Sequence, residues 1–131
     1  MQSTTPRTAA ELVAAAKQQI ENLTPDQVAN EMANADTLLV DLREPDERAQ
    51  SGSIAAAVHA PRGMLEFYAD PSSAYHRAEF DPRRRVILYC ASGGRSALAA
   101  GALQSLGYTH VAHLDGGYKA WVAKGSTVPP A

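Results

Sequence analysis

Short, unbroken apolar runs are the clearest pattern along this chain. Thr37-Leu38-Leu39-Val40-Asp41-Leu42 is one and Val86-Ile87-Leu88-Tyr89 a second, and Thr109 to Leu114 reads as another strand. Such runs, without polar alternation, predict strands buried on both faces, as in a parallel sheet. Around them the spacing lengthens to the helical period. Leu12, Ala15, Ala16 and Ile20 lie near one helical face between Ala9 and Asn22. Thr24-Pro25-Asp26-Gln27 predicts a second helix start, with Thr24 as cap and Gln27 three residues on, running to about Asn34. Arg43 to Arg48 reads as a charged stretch, and Gly52 to Val58 as a turn into a short strand. Met64, Leu65, Phe67 and Tyr68 give one or two helical turns before Pro71-Ser72-Ser73. Ser96 to Leu106 predicts a helix closed by Gly107, and Tyr118 to Lys124 one stopped by Gly125. Strands alternating with helices imply an α/β fold, a small parallel β-sheet flanked by helices on both faces. Residues 1–34 are assigned to an N-terminal helical extension and 35–128 to the sheet domain. Residues 1–10 and the Val-Pro-Pro-Ala end are expected to be loose.

Composition narrows the function classes. At 131 residues the chain is one domain. Leu, Ile, Val and Phe supply only 24 residues, but the net charge is −2, so Ala-tolerant, close-packed helices are a better reading than disorder. So small a charge argues against nucleic-acid or anionic-membrane partners. No apolar run approaches the ~18 residues of a membrane span. The start lacks the apolar core of a secretory signal. A single cysteine excludes an internal disulfide and an in-chain redox pair, and a reducing, cytoplasmic setting is expected. His76, His110 and His113 show no metal-ligand spacing with carboxylates or cysteine, so no metal is expected.

Candidate chemistry concentrates at Cys90. It ends the second apolar run and opens Ala91-Ser92-Gly93-Gly94-Arg95-Ser96, which leads straight into a helix. In parallel α/β sheets, sites gather at the carboxyl ends of strands, and Asp41 and Cys90 both fall there. Gly93-Gly94 permits a tight curl that turns N–H groups inward as an anion nest. The helix start and Arg95 add positive charge, which lowers a thiol's pKa and exposes the nucleophilic thiolate.

The segment Cys90 to Ser96 resembles the active loop of single-domain rhodaneses, the sulfurtransferases. Three further stretches agree in order, over about residues 35–128. Asp41-Leu42-Arg43-Glu44-Pro45-x-Glu47 resembles the family's early Asp-x-Arg element. Gly52 to Pro61 resembles its Gly-His-Ile-x-Gly-Ala-x-His-x-Pro segment. Asp115-Gly116-Gly117-Tyr118-x-x-Trp121 resembles its closing element. The resemblance implies a rhodanese-like fold and a sulfane-sulfur transfer through a persulfide on Cys90. Ala91, Ser92, Gly93, Gly94, Arg95 and Ser96 would cradle a small anionic donor such as thiosulfate. The acceptor would be cyanide, a thiol or a protein, and no organic cofactor would be needed. Asp41 and Arg43 would support the site as a structural ion pair or by bonding loop N–H groups.

Two other functions compete. One is a sulfur-binding or regulatory module without turnover. The other is phosphatase or arsenate-reductase chemistry. Rhodanese-like phosphatases carry one residue more between Cys and Arg than the four found here, and usually His where this chain has Tyr89. Ser53 and Ala56 depart from the family's His and Gly, which puts packing in doubt rather than chemistry. His59 is read as a strand-end histidine bonded to backbone, Trp121 as core, and Arg83-Arg84-Arg85 as a solvated loop at the far end of the sheet. Arg62 to Ser73 reads equally as an apolar rim over the loop or as ordinary core.

Overall fold

The expected strands become β2 (Leu38–Asp41), β4 (Val86–Tyr89) and β5 (Val111–Leu114), buried at every position. The structure, a computed structural model, describes residues 5–128. The expectations for residues 1–4 and 129–131 lie outside the described residues. Two shorter strands, β1 (Glu21–Leu23) and β3 (Val58–His59), flank the inner three in a five-stranded sheet of order β1-β5-β4-β2-β3. Every pairing is parallel.

The period of two sorts the strand side chains between two cores. Leu38, Val40, Val86, Leu88 and Val111 face one, with Leu65, Ala69, Ala99, Ala100 and Leu103. These come from helices α4 (Leu65–Ala69) and α5 (Gly94–Ser105). Leu39, Ile87, Tyr89, Ala112 and Leu114 face the other, with Val28 and Trp121. These come from α2 (Pro25–Glu31) and α6 (Gly117–Lys124). Trp121 is thus a core residue, as its helical placement predicts. The alanines of α5 let it sit close to the sheet.

Local signals explain the ends. Thr24 accepts from Gln27 N–H at 3.2 Å while the Gln27 side chain accepts from Thr24 N–H at 2.9 Å, the reciprocal cap expected of that tetrapeptide. The charged stretch after β2 runs into a helix, α3 (Pro45–Ser51), with Pro45 opening the first turn. Arg62–Met64 is a 3₁₀ turn leading into α4. In that segment Leu65 is core, whereas Phe67 is half-exposed and meets Tyr75 edge-on.

Between residues 5 and 34 the elements differ from the two expected helices. Helix α1 (Ala9–Lys17) ends earlier than its composition suggests, and Glu21–Leu23 pairs with β5 as an edge strand. Three residues are too few for a periodic signal, and only Leu23 of the three is buried. The segment therefore completes the sheet rather than preceding it. Helix α1 lies on α5, and Gln104 Nε2 donates to Gln19 O at 3.1 Å. The arginine run is also more than a solvated loop. Arg85 bridges Glu21 and Glu31, and Arg84 donates to the carbonyls of Asp36 and Glu79. These bonds tie β1 and α2 to the end of the sheet opposite Cys90.

Candidate active site

Cys90 follows β4, where the chain leaves the sheet and curls into α5. Gly93 turns it with φ +106°, a region that favours glycine. The curl points Gly93 N–H at Cys90 Sγ, 3.1 Å away. Ser96, in the first turn of α5, places its hydroxyl 3.6 Å from the same sulfur. Burial pushes the Cys90 thiol up, but the Ser96 hydroxyl and the N–H groups of Ser96, Gly93 and Ser92 outweigh it and hold it below its ordinary value. Cys90 is only 1% exposed.

Inward N–H groups require outward carbonyls to find partners elsewhere. The start of α6 supplies them. Tyr118 N–H donates to Cys90 O at 2.8 Å and Lys119 N–H to Ala91 O at 3.0 Å. This contact is so close that a Cβ on Gly117 would lie 2.6 Å from Ala91 C and Cys90 O. The segment from Gly117 to Lys119 is thus the backing of the Cys90 loop.

Arg95 is already engaged. Its guanidinium binds the Glu47 carboxylate of α3 with two bonds of 2.8 and 2.9 Å. The Arg95 bond, together with Glu44 N–H, pulls the Glu47 carboxyl down to about 2. Glu47 belongs to the early Asp-x-Arg element, but only the fold brings it to residue 95.

Asp41 and Arg43 pair with each other rather than with the Cys90 loop. Asp41 accepts from Arg43 Nε and Nη2 at 3.1 and 2.8 Å, from Arg48 Nε at 3.0 Å and from Tyr89 O–H at 2.9 Å. Burial raises its pKa, but these donors, Arg43 first, pull it below the ordinary value. Arg43 also donates to Gly52 O at 2.7 Å and lies 4.3 Å from the Tyr118 ring centroid. The pair thereby joins β2, the end of α3 and α6. His59 Nε2 donates to Arg43 O at 2.6 Å, the backbone bond expected of it.

A further histidine enters behind the loop. His113 of β5 is fully buried, with Nδ1 2.8 Å from Ser96 Oγ and Nε2 2.8 Å from Asn22 Oδ1. Its side chain alternates on β5 with core positions, so only the place of α5 and β1 could reveal it. Among the described residues, no cluster of three His, Cys, Asp or Glu is placed to hold a metal, and no helix is long and apolar enough to cross a membrane.

The family model of the rhodanese-like domain matches residues 24–124. A sulfurtransferase of Allochromatium vinosum is 38% identical over 90 residues, which span 69% of this chain and 76% of that protein. Among solved structures, a Rhodopseudomonas palustris protein of unknown function, described as a possible tyrosine phosphatase, has a TM-score of 0.88. It is 36% identical and covers 98% of this chain and 99% of its own. The polysulfide-sulfur transferase homodimer of Wolinella succinogenes has a TM-score of 0.73 at 29% identity, covering 91% of this chain and 85% of its own.

Proposed function

The chain belongs to the rhodanese-like family, and from that premise we propose that it moves a sulfane sulfur from a small anionic donor, such as thiosulfate, to cyanide or a thiol. The Cys90 thiolate attacks the donor's outer sulfur. The bond between the donor's two sulfurs breaks, sulfite leaves with the electron pair, and Cys90 carries a persulfide. The acceptor's nucleophile then takes that outer sulfur and returns the thiolate. Residues 91–96 stabilise the persulfide charge through inward N–H groups and Arg95. Asp41 and Arg43 act at a distance, by fixing α3 and α6 around the loop.

One observation carries this reading: the sulfur of a nearly enclosed cysteine accepts a loop N–H at 3.1 Å. A ring that tight fits one added sulfur better than a tetrahedral oxyanion. Phosphatase chemistry is the second reading, and it rests on the description of the Rhodopseudomonas protein. Incubating the protein with thiosulfate and measuring intact mass separates the two. The expected adduct is one sulfur atom, absent in Cys90→Ser. Phosphate release from an aryl phosphate, with no sulfur adduct, sinks the proposal. No adduct and no phosphate release favour a module without turnover.

A further inference from the structure

A thiolate needs somewhere to send its proton. The N–H groups around Cys90 stabilise the anion, but they cannot accept a proton. Bulk water is largely excluded, because Cys90 is 1% exposed. Of the polar side chains that reach the sulfur, Arg95 is permanently charged and cannot take a proton, whereas Ser96, fully buried, has His113 behind it.

The hydrogen bonds fix the direction of this chain. Asn22 Nδ2 donates to Lys17 O at 2.9 Å and to Ile20 O at 3.2 Å. Its Oδ1 therefore faces His113 Nε2 as an acceptor, and Nε2 must carry the hydrogen. In the neutral ring Nδ1 is then a bare acceptor, and Ser96 O–H donates to it at 2.8 Å in preference to Gly93 O at 3.3 Å. Ser96 in turn accepts from the Cys90 thiol. Every group in the line Cys90, Ser96, His113, Asn22 points its hydrogen the same way.

We infer that His113 is the proton acceptor for Cys90, reached through Ser96 and held in the required tautomer by Asn22. This inference deepens the sulfur-transfer reading and rests on it. The Cys90 proton passes to Ser96 Oγ as the Ser96 proton passes to His113 Nδ1. The products are a thiolate and an imidazolium, so no charge is created overall and no other reactant is needed. Ser96 then receives a bond from Nδ1–H and turns its own hydrogen to the thiolate. His113 is a positioning residue here, since it acts on the sulfur through Ser96.

The surroundings suit an acceptor that is neutral at rest. Burial holds the His113 pKa below its ordinary value. Asp115 lies 4.0 Å from Nε2 and favours the imidazolium, but Lys17 pairs with Asp115 at 2.9 Å and moderates it. The charged or polar groups facing the ring are Asn22 from β1, Lys17 from α1, Ser96 from α5 and Asp115 after β5. The segment that precedes the apolar sheet run thus supplies two of the four.

The chain has one cysteine, so thiolate absorbance and mass-detected iodoacetamide alkylation report Cys90 alone. Neither needs sulfur transfer, so a failed relay and a failed transfer reading are separate results. His113→Asn and Ser96→Ala should each raise the apparent Cys90 pKa by about one unit. The double variant should be no worse than Ser96→Ala. Asn22→Asp should shift it the other way, because a carboxylate at Nε2–H stabilises the imidazolium. In the unaltered protein, the His113 ring should titrate by nitrogen NMR in two coupled steps, one coincident with Cys90. It should titrate in one step in Cys90→Ser. That last measurement stands even if a His113 variant fails to fold. A single His113 step unaffected by Cys90→Ser, or an unchanged Cys90 pKa in folded His113→Asn, overturns the relay.

Discussion

Two arginine–carboxylate pairs hang on the same seven-residue helix, α3, and they differ in almost every other respect. Arg43 and Asp41 are 2% and 0% exposed, and Arg48 of α3 adds a second cation to the carboxylate. Arg43 spends its remaining valence on Gly52 O and the Tyr118 face. Arg95 and Glu47 are 38% and 33% exposed, and they bind each other at 2.8 Å. The groups are chemically alike, and both pairs are bidentate. A saturated, buried pair cannot open without stranding a charge, so it fixes the backbone around it. An exposed pair can exchange its carboxylate for another anion at little cost. The first kind of arginine builds the site, and the second is free to serve it.

The largest effect should come from breaking the saturated pair. Arg43→Ala leaves Asp41 buried with fewer donors and should cost ~3–5 kcal/mol, read as a lower urea midpoint. A loss below ~1 kcal/mol would show that Arg48 and Tyr89 suffice. Arg95→Ala should do the opposite. Stability should stay within ~0.5 kcal/mol of the parent, while thiosulfate-to-cyanide transfer falls about 10–100-fold. If Arg95→Ala melts like Arg43→Ala, the contrast between the pairs collapses.

Glu47→Gln sharpens the comparison. It removes the anion that competes for Arg95 and should lower the KM for thiosulfate by about 2–5-fold, with kcat little changed. The gain should be flat across the neutral range. The Glu47 carboxyl sits at about 2 against an ordinary 4.5, chiefly because of Arg95. A depressed carboxylate stabilises the fold fully above its unfolded value and loses that contribution as pH falls through the folded one. The pair therefore weakens only on acidification from about 4.5 toward 2. A KM gain that varies between pH 6 and 8, taken here as roughly neutral, would assign the titration to another group.

The smallest effect should arise where neither pair is touched. Ala56 holds φ +70° in the turn after α3, the position where the family usually has glycine. Ala56→Gly should relieve that strain and stabilise by ~0.5–1 kcal/mol, after glycine's greater unfolded entropy is subtracted. Thermal melting should rise slightly while transfer stays unchanged. A lower melting temperature would mean that the turn gains more from the alanine's restricted chain than it loses in strain.

Local chemistry alone determined much of this protein. Doubly buried strands must be mostly apolar, so β2 and β4 are readable from composition over a few residues, and β5 from its alternation with helices. A helix cap is written in four residues, as at Thr24 to Gln27, and the Cys90 loop in seven, because their hydrogen bonds close within the segment. The partners that tune the site are another matter. Glu47 meets Arg95 across 48 positions, His113 meets Ser96 across 17, and Asn22 meets His113 across 91. Those meetings depend on strand order, with β1 beside β5 and β5 beside β4, which no local period encodes. A buried histidine on a strand looks like core until the neighbouring strand and helix are in place. Sequence specified Cys90 and the curl of its loop, because their bonds are local. Tertiary structure decided which charge faces Arg95 and what stands behind Ser96, because those bonds join segments that only packing brings together.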